Sequence, residues 1–334
     1  MDYVLIWAGL MAFAVFAYVI LDGFDLGIGL LFPFIKDPQD KANSMNSIAP
    51  FWDGNETWLV LGGGGLYATF PLAFAIIMPA LYVPLIIMLL ALIFRGVAFE
   101  FRWRAETEAG MKRWDLGFTL GSFFAAFAQG IALGALVQGI DVADRAYAGG
   151  WWDWLTPFSV VTGFAVVIGY ALLGACWLVY KTEHELQAFC RRAALVLTFA
   201  LGLMIAIISV WMLFKQDPYM KRWFDYPNYL YLSPVPILVG ILGFYLLWSL
   251  KKGKELAPFL STIGLFALSY FGLCISFYPN IVPPNITIWA AASPESSLKF
   301  LLVGSAVLIP MIIAYTAYSY WVFRGKVNSE EQYH

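Results

Sequence analysis

The sequence predicts an all-α integral membrane protein with about nine transmembrane helices. Three observations carry that prediction. Of its 334 residues, 61% are hydrophobic and only 13% are charged, whereas a soluble domain is about half apolar and a quarter charged. Apolar runs of about eighteen residues or more, long enough to cross a hydrocarbon core, recur along the whole length. The loops between them are short, so nothing is left over to fold as a soluble domain and one polytopic membrane domain over 1–334 is expected.

The runs place helices near 4–35, 51–70, 73–101, 115–139, 157–180, 190–214, 234–250, 257–278 and 298–323. Met1-Asp2-Tyr3 has no basic n-region, and the apolar stretch behind it is too long for a signal h-region. The first span is therefore expected to be retained. Gly62 to Gly65 would loosen the second helix in isolation, but in a bundle they would let neighbouring backbones approach closely. Pro71, Pro157, Pro218 and Pro279 mark span ends, and Trp151, Trp152 and Trp154 cluster before the fifth span as interface aromatics do. No internal repeat is visible.

Orientation follows from the basic residues. One set of alternate loops, with the C-terminus, holds Lys36, Lys41, Arg102, Arg104, Lys112, Arg113, Lys181, Arg191, Arg192, Lys251, Lys252, Lys254, Arg324 and Lys326. The other set holds Arg145, Lys215, Lys221, Arg222 and Lys299. Fourteen against five puts the C-terminus in the cytoplasm and the N-terminus outside by the positive-inside rule.

Few ionisable groups fall within the spans, where each costs at least about 2.5–3.5 kcal/mol. Asp22 and Asp25 are three apart on the first span, and Asp53 and Glu56 open the second; each pair shares a helical face. The third span carries Arg95 and Glu100. All six lie in the cytoplasmic half or at its edge. Carboxylates at Asp25, Asp53, Glu56, Glu100 and Asp22, wet from one side, are what a proton entry path needs, and Arg95 is a structural counter-charge that keeps some of them ionised. The plainer alternatives are local. Asp53 could stabilise the start of its helix through the dipole, Glu100 and Arg104 could form a surface pair, and Asp22 could bond a backbone amide of a neighbouring helix.

Histidine is scarce: His184 falls in a loop, and His334 is the last residue. Haem usually takes His, Cys, Met or Tyr as its axial ligand; no histidine falls within a span and Met without His would be an unusual sole ligand, so this chain is not expected to bind haem alone. Cys176, Cys190 and Cys274 are far apart, form no CxxC pair and read as buried small residues rather than zinc ligands or disulfides. Gly23 and Gly27 form a helix-packing G-x-x-x-G. With no strand ahead of it this is not a nucleotide loop, and nothing points to nucleic acid.

Several stretches resemble subunit II of cytochrome bd ubiquinol oxidase. Leu21-Asp22-Gly23-Phe24-Asp25-Leu26-Gly27-Ile28-Gly29 resembles the family's first-helix signature. So does the run from Asn46-Ser47-Ile48-Ala49-Pro50-Phe51 through Trp52-Asp53-Gly54-Asn55-Glu56-Thr57-Trp58 for the second. Arg95-Gly96-Val97-Ala98-Phe99-Glu100-Phe101-Arg102 resembles the third. Leu173-Gly174-Ala175-Cys176-Trp177-Leu178 with Lys181-Thr182-Glu183, and Tyr278-Pro279-Asn280-Ile281-Val282-Pro283-Pro284, extend the likeness along the whole chain. The short length and Glu56-Thr57 lean towards the cyanide-insensitive oxidase branch.

The resemblance implies two four-helix bundles plus one peripheral helix, in the bacterial cytoplasmic (inner) membrane. It implies a heterodimer in which subunit I carries haem b, haem d and the quinol site, this subunit holds none of them, and small single-helix accessory subunits can join. It also implies a place for Asp53 on a proton path towards those haems, with acids at the positions of Asp25 and Glu100. The rival from another class is a secondary transporter, which would show binding groups near the midplane and an inverted repeat. A structural scaffold whose acids move no protons is the second rival.

Overall fold

The computed structural model describes residues 1–215 and 217–327. Its helices are α1 (Tyr3–Leu31), α2 (Pro38–Asn46), α3 (Trp52–Thr69), α4 (Pro71–Ala80), α5 (Tyr82–Arg102), α6 (Glu108–Gln138), α7 (Pro157–Lys181), α8 (His184–Lys215), α9 (Asp217–Phe224), α10 (Asn228–Leu232), α11 (Pro234–Lys251), α12 (Leu256–Phe277), α13 (Ile288–Ala291) and α14 (Glu295–Val322). Two short antiparallel hairpins interrupt them: β1 (Val142–Ala143) with β2 (Ala146–Tyr147), and β3 (Asn280–Val282) with β4 (Ile286–Thr287). His334 lies outside the described residues.

Local signals set the boundaries. Asp2 caps α1 by accepting from the amides of Val4 and Leu5 at 3.0 and 3.1 Å. Thr156 and Ser159 make a reciprocal capping box at the start of α7, with Pro157 in its first turn. Gly139, at φ 92°, ends α6 in a conformation that L side chains rarely adopt.

Among the described residues, eight helices are long and apolar enough to cross a bilayer. The second predicted span, α3, is helical and, at 18 residues, about 27 Å long. It opens on Asp53-Gly54-Asn55-Glu56, which lowers its hydropathy, so it is not among the eight.

Two sequence expectations are corrected here. The helix expected over 73–101 is divided at Leu81 into α4 and α5. Pro84 has no N–H to give the Ala80 carbonyl, but it fits the first turn of a new helix, where amides have no partner anyway. Segment α4 packs instead on β2, β3 and α13. The glycines at 62–65 do not bring backbones together. Gly63 and Gly64 face open space, and what lies nearest Gly62 and Gly65 is the side chains of Val15 and Met11.

Helices α1, α3, α5 and α6 form one bundle, and α7, α8, α11 and α12 a second. They meet where α7 packs on α1 and α6. The close approach is at Gly27 and Gly174: a Cβ on Gly27 would fall 1.9 Å from the Tyr170 carbonyl oxygen, and one on Gly174 would fall 2.5 Å from the Gly27 carbonyl carbon. Helix α14 stands outside, touching α1 and α3, and buries only Leu298 and Ile309.

The two ends of the molecule differ. At one end Lys181, Arg191 and Lys326 donate to loop carbonyls, and a second ion cluster joins Asp115 to Arg102 (2.6 Å) and Lys41 (2.9 Å). At the other end lie both hairpins, with exposed Trp151 and Trp152; Trp154 is tucked in, donating to the Trp151 carbonyl at 2.9 Å.

Candidate functional site

The charged centre of the first bundle is built by α1, α3 and α5. Asp22 and Asp25, on α1, are both fully buried, as is Arg95 on α5. A lone buried charge is costly, so such groups pair or hydrogen-bond. Arg95 donates through Nη2 to Asp22 Oδ1, and its guanidinium lies over the Trp52 ring, 5.5 Å from the centroid. Its Nη1 stands 3.9 Å from Oε2 of Glu56, whose side chain is 31% exposed and forms the outer edge of the cluster.

Asp25 has a different environment. Oδ2 accepts from Asn55 Nδ2 at 2.8 Å, and the same nitrogen donates to the Leu21 carbonyl at 3.2 Å. Tyr320, on α14, donates to Asn55 Oδ1 at 2.9 Å. Asp22 receives a parallel chain: Tyr170 donates to Gln129 Oε1 (2.7 Å), Gln129 donates to the Tyr18 hydroxyl (2.8 Å), and Tyr18 lies against Asp22. Each carboxylate thus ends a line of oriented donors, but only Asp22 is bonded to the arginine. Among the described residues, Asp22 Oδ2, Asp25 Oδ1 and two Arg95 nitrogens are buried without a hydrogen-bond partner. That spare capacity suits bridging water.

The structure therefore brings Asp22, Asp25, Arg95 and Glu56 together and leaves Asp53 and Glu100 on the surface of the bundle. Asp53 sits in the first turn of α3 but is not its N-cap, which is Phe51 without a side-chain cap. Arg104, four residues beyond Glu100, lies over the Phe101 ring at 5.5 Å. Gly23 packs under the Tyr170 ring. Sequence reasoning missed Tyr18, Asn55, Gln129, Tyr170 and Tyr320. Two signals were available: Gln129 is a lone amide deep in an apolar helix, and Tyr18 is four residues before Asp22 on the same face.

By architecture and site, this is a polytopic all-α membrane protein whose fully buried charges, Asp22, Asp25 and Arg95, are gathered in one bundle. It belongs to the family of cytochrome bd terminal oxidase subunit II, whose match covers residues 3–323. It is 28% identical over 361 residues to cytochrome bd-I ubiquinol oxidase subunit 2 of Escherichia coli K12, covering 98% of this chain and 95% of that one. It is also 28% identical over 334 residues to cytochrome bd ubiquinol oxidase subunit 2 of Bacillus subtilis, covering 98% and 97%. The fold is similar to that of a chain of the bd oxidase from Geobacillus thermodenitrificans, with a TM-score of 0.74, 18% identity and coverage of 96% and 99%.

Proposed function

We propose that this chain is the haem-free subunit II of a bd-type quinol:oxygen oxidoreductase in a bacterial cytoplasmic membrane. It pairs there with a haem-bearing subunit I and supplies part of the proton path from the cytoplasm. Family membership supports the oxidase. The observation that carries the proton role is the cluster itself: Glu56 at the exposed edge contacts Arg95, and Asp22 and Asp25 lie buried behind it. The basic end of the molecule faces the cytoplasm by the positive-inside rule, so protons enter near Asp53 and Glu56.

Haem b and haem d held by the partner would supply the electron transfer for reduction of oxygen to water, a reaction that consumes protons. This chain's groups do not fit a haem of their own. His184, the only histidine among the described residues, is exposed at the start of α8, and the buried Cys176 thiol accepts from Thr262 at 3.4 Å. What the chain does is hold protons at defined atoms. Asp53, Glu56 and Glu100 gather them at the surface. Asp22 and Arg95 are a fixed ion pair that offsets charge in a low-dielectric interior. Asp25, without a cation bonded to it, is the buried group free to take up and release a proton. Proton uptake from the cytoplasm, with quinol protons released outside, builds a membrane potential without a separate pump.

The test is purification of the tagged chain in mild detergent. Haem b and d absorption bands should accompany a larger co-purifying subunit, and the chain expressed alone should show no Soret band. A stoichiometric haem in the isolated chain would overturn the proposal.

A further inference from the structure

We propose that Tyr320 is a positioning residue for proton exchange at Asp25, and that the peripheral helix α14 is the arm that holds it there; this rests on the proton-path reading of the acids. Helix α14 barely touches the bundle, yet near its end Tyr320 turns inward. Its ring stacks on Phe51 with centroids 4.3 Å apart and planes 9° apart, and its hydroxyl donates to Asn55 Oδ1 at 2.9 Å.

A carboxamide has one donor side and one acceptor side. Tyr320 donates to Oδ1 while Asn55 presents Nδ2 to Asp25, and the Leu21 carbonyl, which can only accept and lies 3.2 Å from the same nitrogen, favours that orientation. A donor stabilises the carboxylate, the form that has given up its proton. If Asn55 turned over, it would instead present an acceptor, which stabilises the carboxylic acid. The groups facing Asp25 are Asp22 on its own helix, Asn55 and Glu56 on α3, Arg95 on α5 and Tyr320 on α14. Of these, Tyr320 is the one that bonds the far side of the Asn55 amide without itself touching the acid.

The end of α14 is clasped to the bundle. Lys181 donates to the carbonyls of Phe323 (2.6 Å) and Gly325, and Val327 donates its amide to the Lys181 carbonyl at 2.9 Å. Lys326 donates to the Thr182 carbonyl (3.0 Å) and to Glu255 (2.9 Å). The clasp fixes the register of a helix that has almost no buried face of its own.

The experiment measures haem content, oxygen consumption and its pH profile on assembled complexes carrying Tyr320→Phe, Asp25→Asn, or both. Phenylalanine keeps the stack on Phe51 and removes only the hydroxyl. With haem unchanged, Tyr320→Phe should slow turnover about fivefold, the worth of one hydrogen bond of about 1 kcal/mol, and shift the pH profile. Asp25→Asn should slow turnover more, and adding Tyr320→Phe to it should change nothing further. If Asp25→Asn keeps full turnover with full haem, the proton-path reading of Asp25 fails and takes this proposal with it. If Asp25→Asn is slow but Tyr320→Phe has a wild-type rate and profile, or the two effects multiply, the positioning role alone is overturned. Lys181→Met, which releases the end of α14 without substituting Tyr320, Asn55 or Asp25, carries the test should Tyr320→Phe lose haem. A shifted pH profile supports the arm, and an unchanged one overturns it.

Discussion

Replacing Arg95 by Gln removes the cation of the buried cluster and leaves Asp22 facing a neutral group. Arg95 and Asp22 are bonded and both fully buried, so solvent screens the loss poorly. Breaking one side of such a pair costs about 3–5 kcal/mol. A second route to the magnitude agrees. The stranded Asp22 can escape by taking up a proton, and at pH 7 that costs about 4 kcal/mol for a group with a reference pKa near 3.9.

At about 2.1 cal/mol/K of unfolding entropy per residue, a loss of that size lowers the melting midpoint of the 334-residue chain by roughly 4–7 °C. The sign with pH is fixed as well. The folded variant then binds one more proton than the unfolded chain, so its penalty should shrink by about 1.4 kcal/mol for each unit the pH is lowered. Adding Asp22→Asn removes the stranded charge and should recover more than half of the loss. The assay is thermal unfolding of the detergent-solubilised complex, followed by haem release. Equal losses for both single variants that simply add in the double variant would refute the pairing.

Three further outcomes are expected. Gly27→Ala should cost several kcal/mol and prevent assembly, because its Cβ would overlap the Tyr170 carbonyl; normal membrane yield of that variant would contradict the close crossing of α1 and α7. Hydrogen bonds from Lys326 and Gln187 hold the Glu255 carboxyl below the usual carboxylate range. Its hold on the clasp is therefore present above that range and lost as pH falls through the lowered value. Hydrogen-exchange protection at 323–327, corrected for the intrinsic rate at each pH, should fall on acidification, and Glu255→Gln should show the lower protection at neutral pH. Reporter fusions should place the C-terminus in the cytoplasm, and an active C-terminal alkaline phosphatase would reverse the orientation.

The spans were legible because apolar length is a strong signal, and the acids were legible because charge inside an apolar run is rare. The break at Leu81 was hidden because Pro79 and Pro84 sit inside one continuous apolar run. The hydrogen-bonded lines were hidden for a different reason. Tyr18, Gln129 and Tyr170 are far apart in sequence, as are Asn55 and Tyr320, and a tyrosine in an apolar helix reads as core until its partner is known. Asp22 and Asp25 looked alike as acids three apart on one face. Only the third dimension separates them, by giving the arginine to Asp22 and the Asn55 amide to Asp25. Asp53 and Glu100, grouped with them by position, lie on the surface.

The most direct test of the proton role is at the entry. Asp53 is exposed in the first turn of α3 and caps nothing, so Asp53→Asn removes a titrating group and little else. Haem content and quinol-driven oxygen consumption are measured on the same preparation of the assembled complex. The account predicts full haem with turnover reduced by a factor of roughly 10² to 10⁴, the worth of a positioned proton-transfer group. Full haem with wild-type turnover would contradict it.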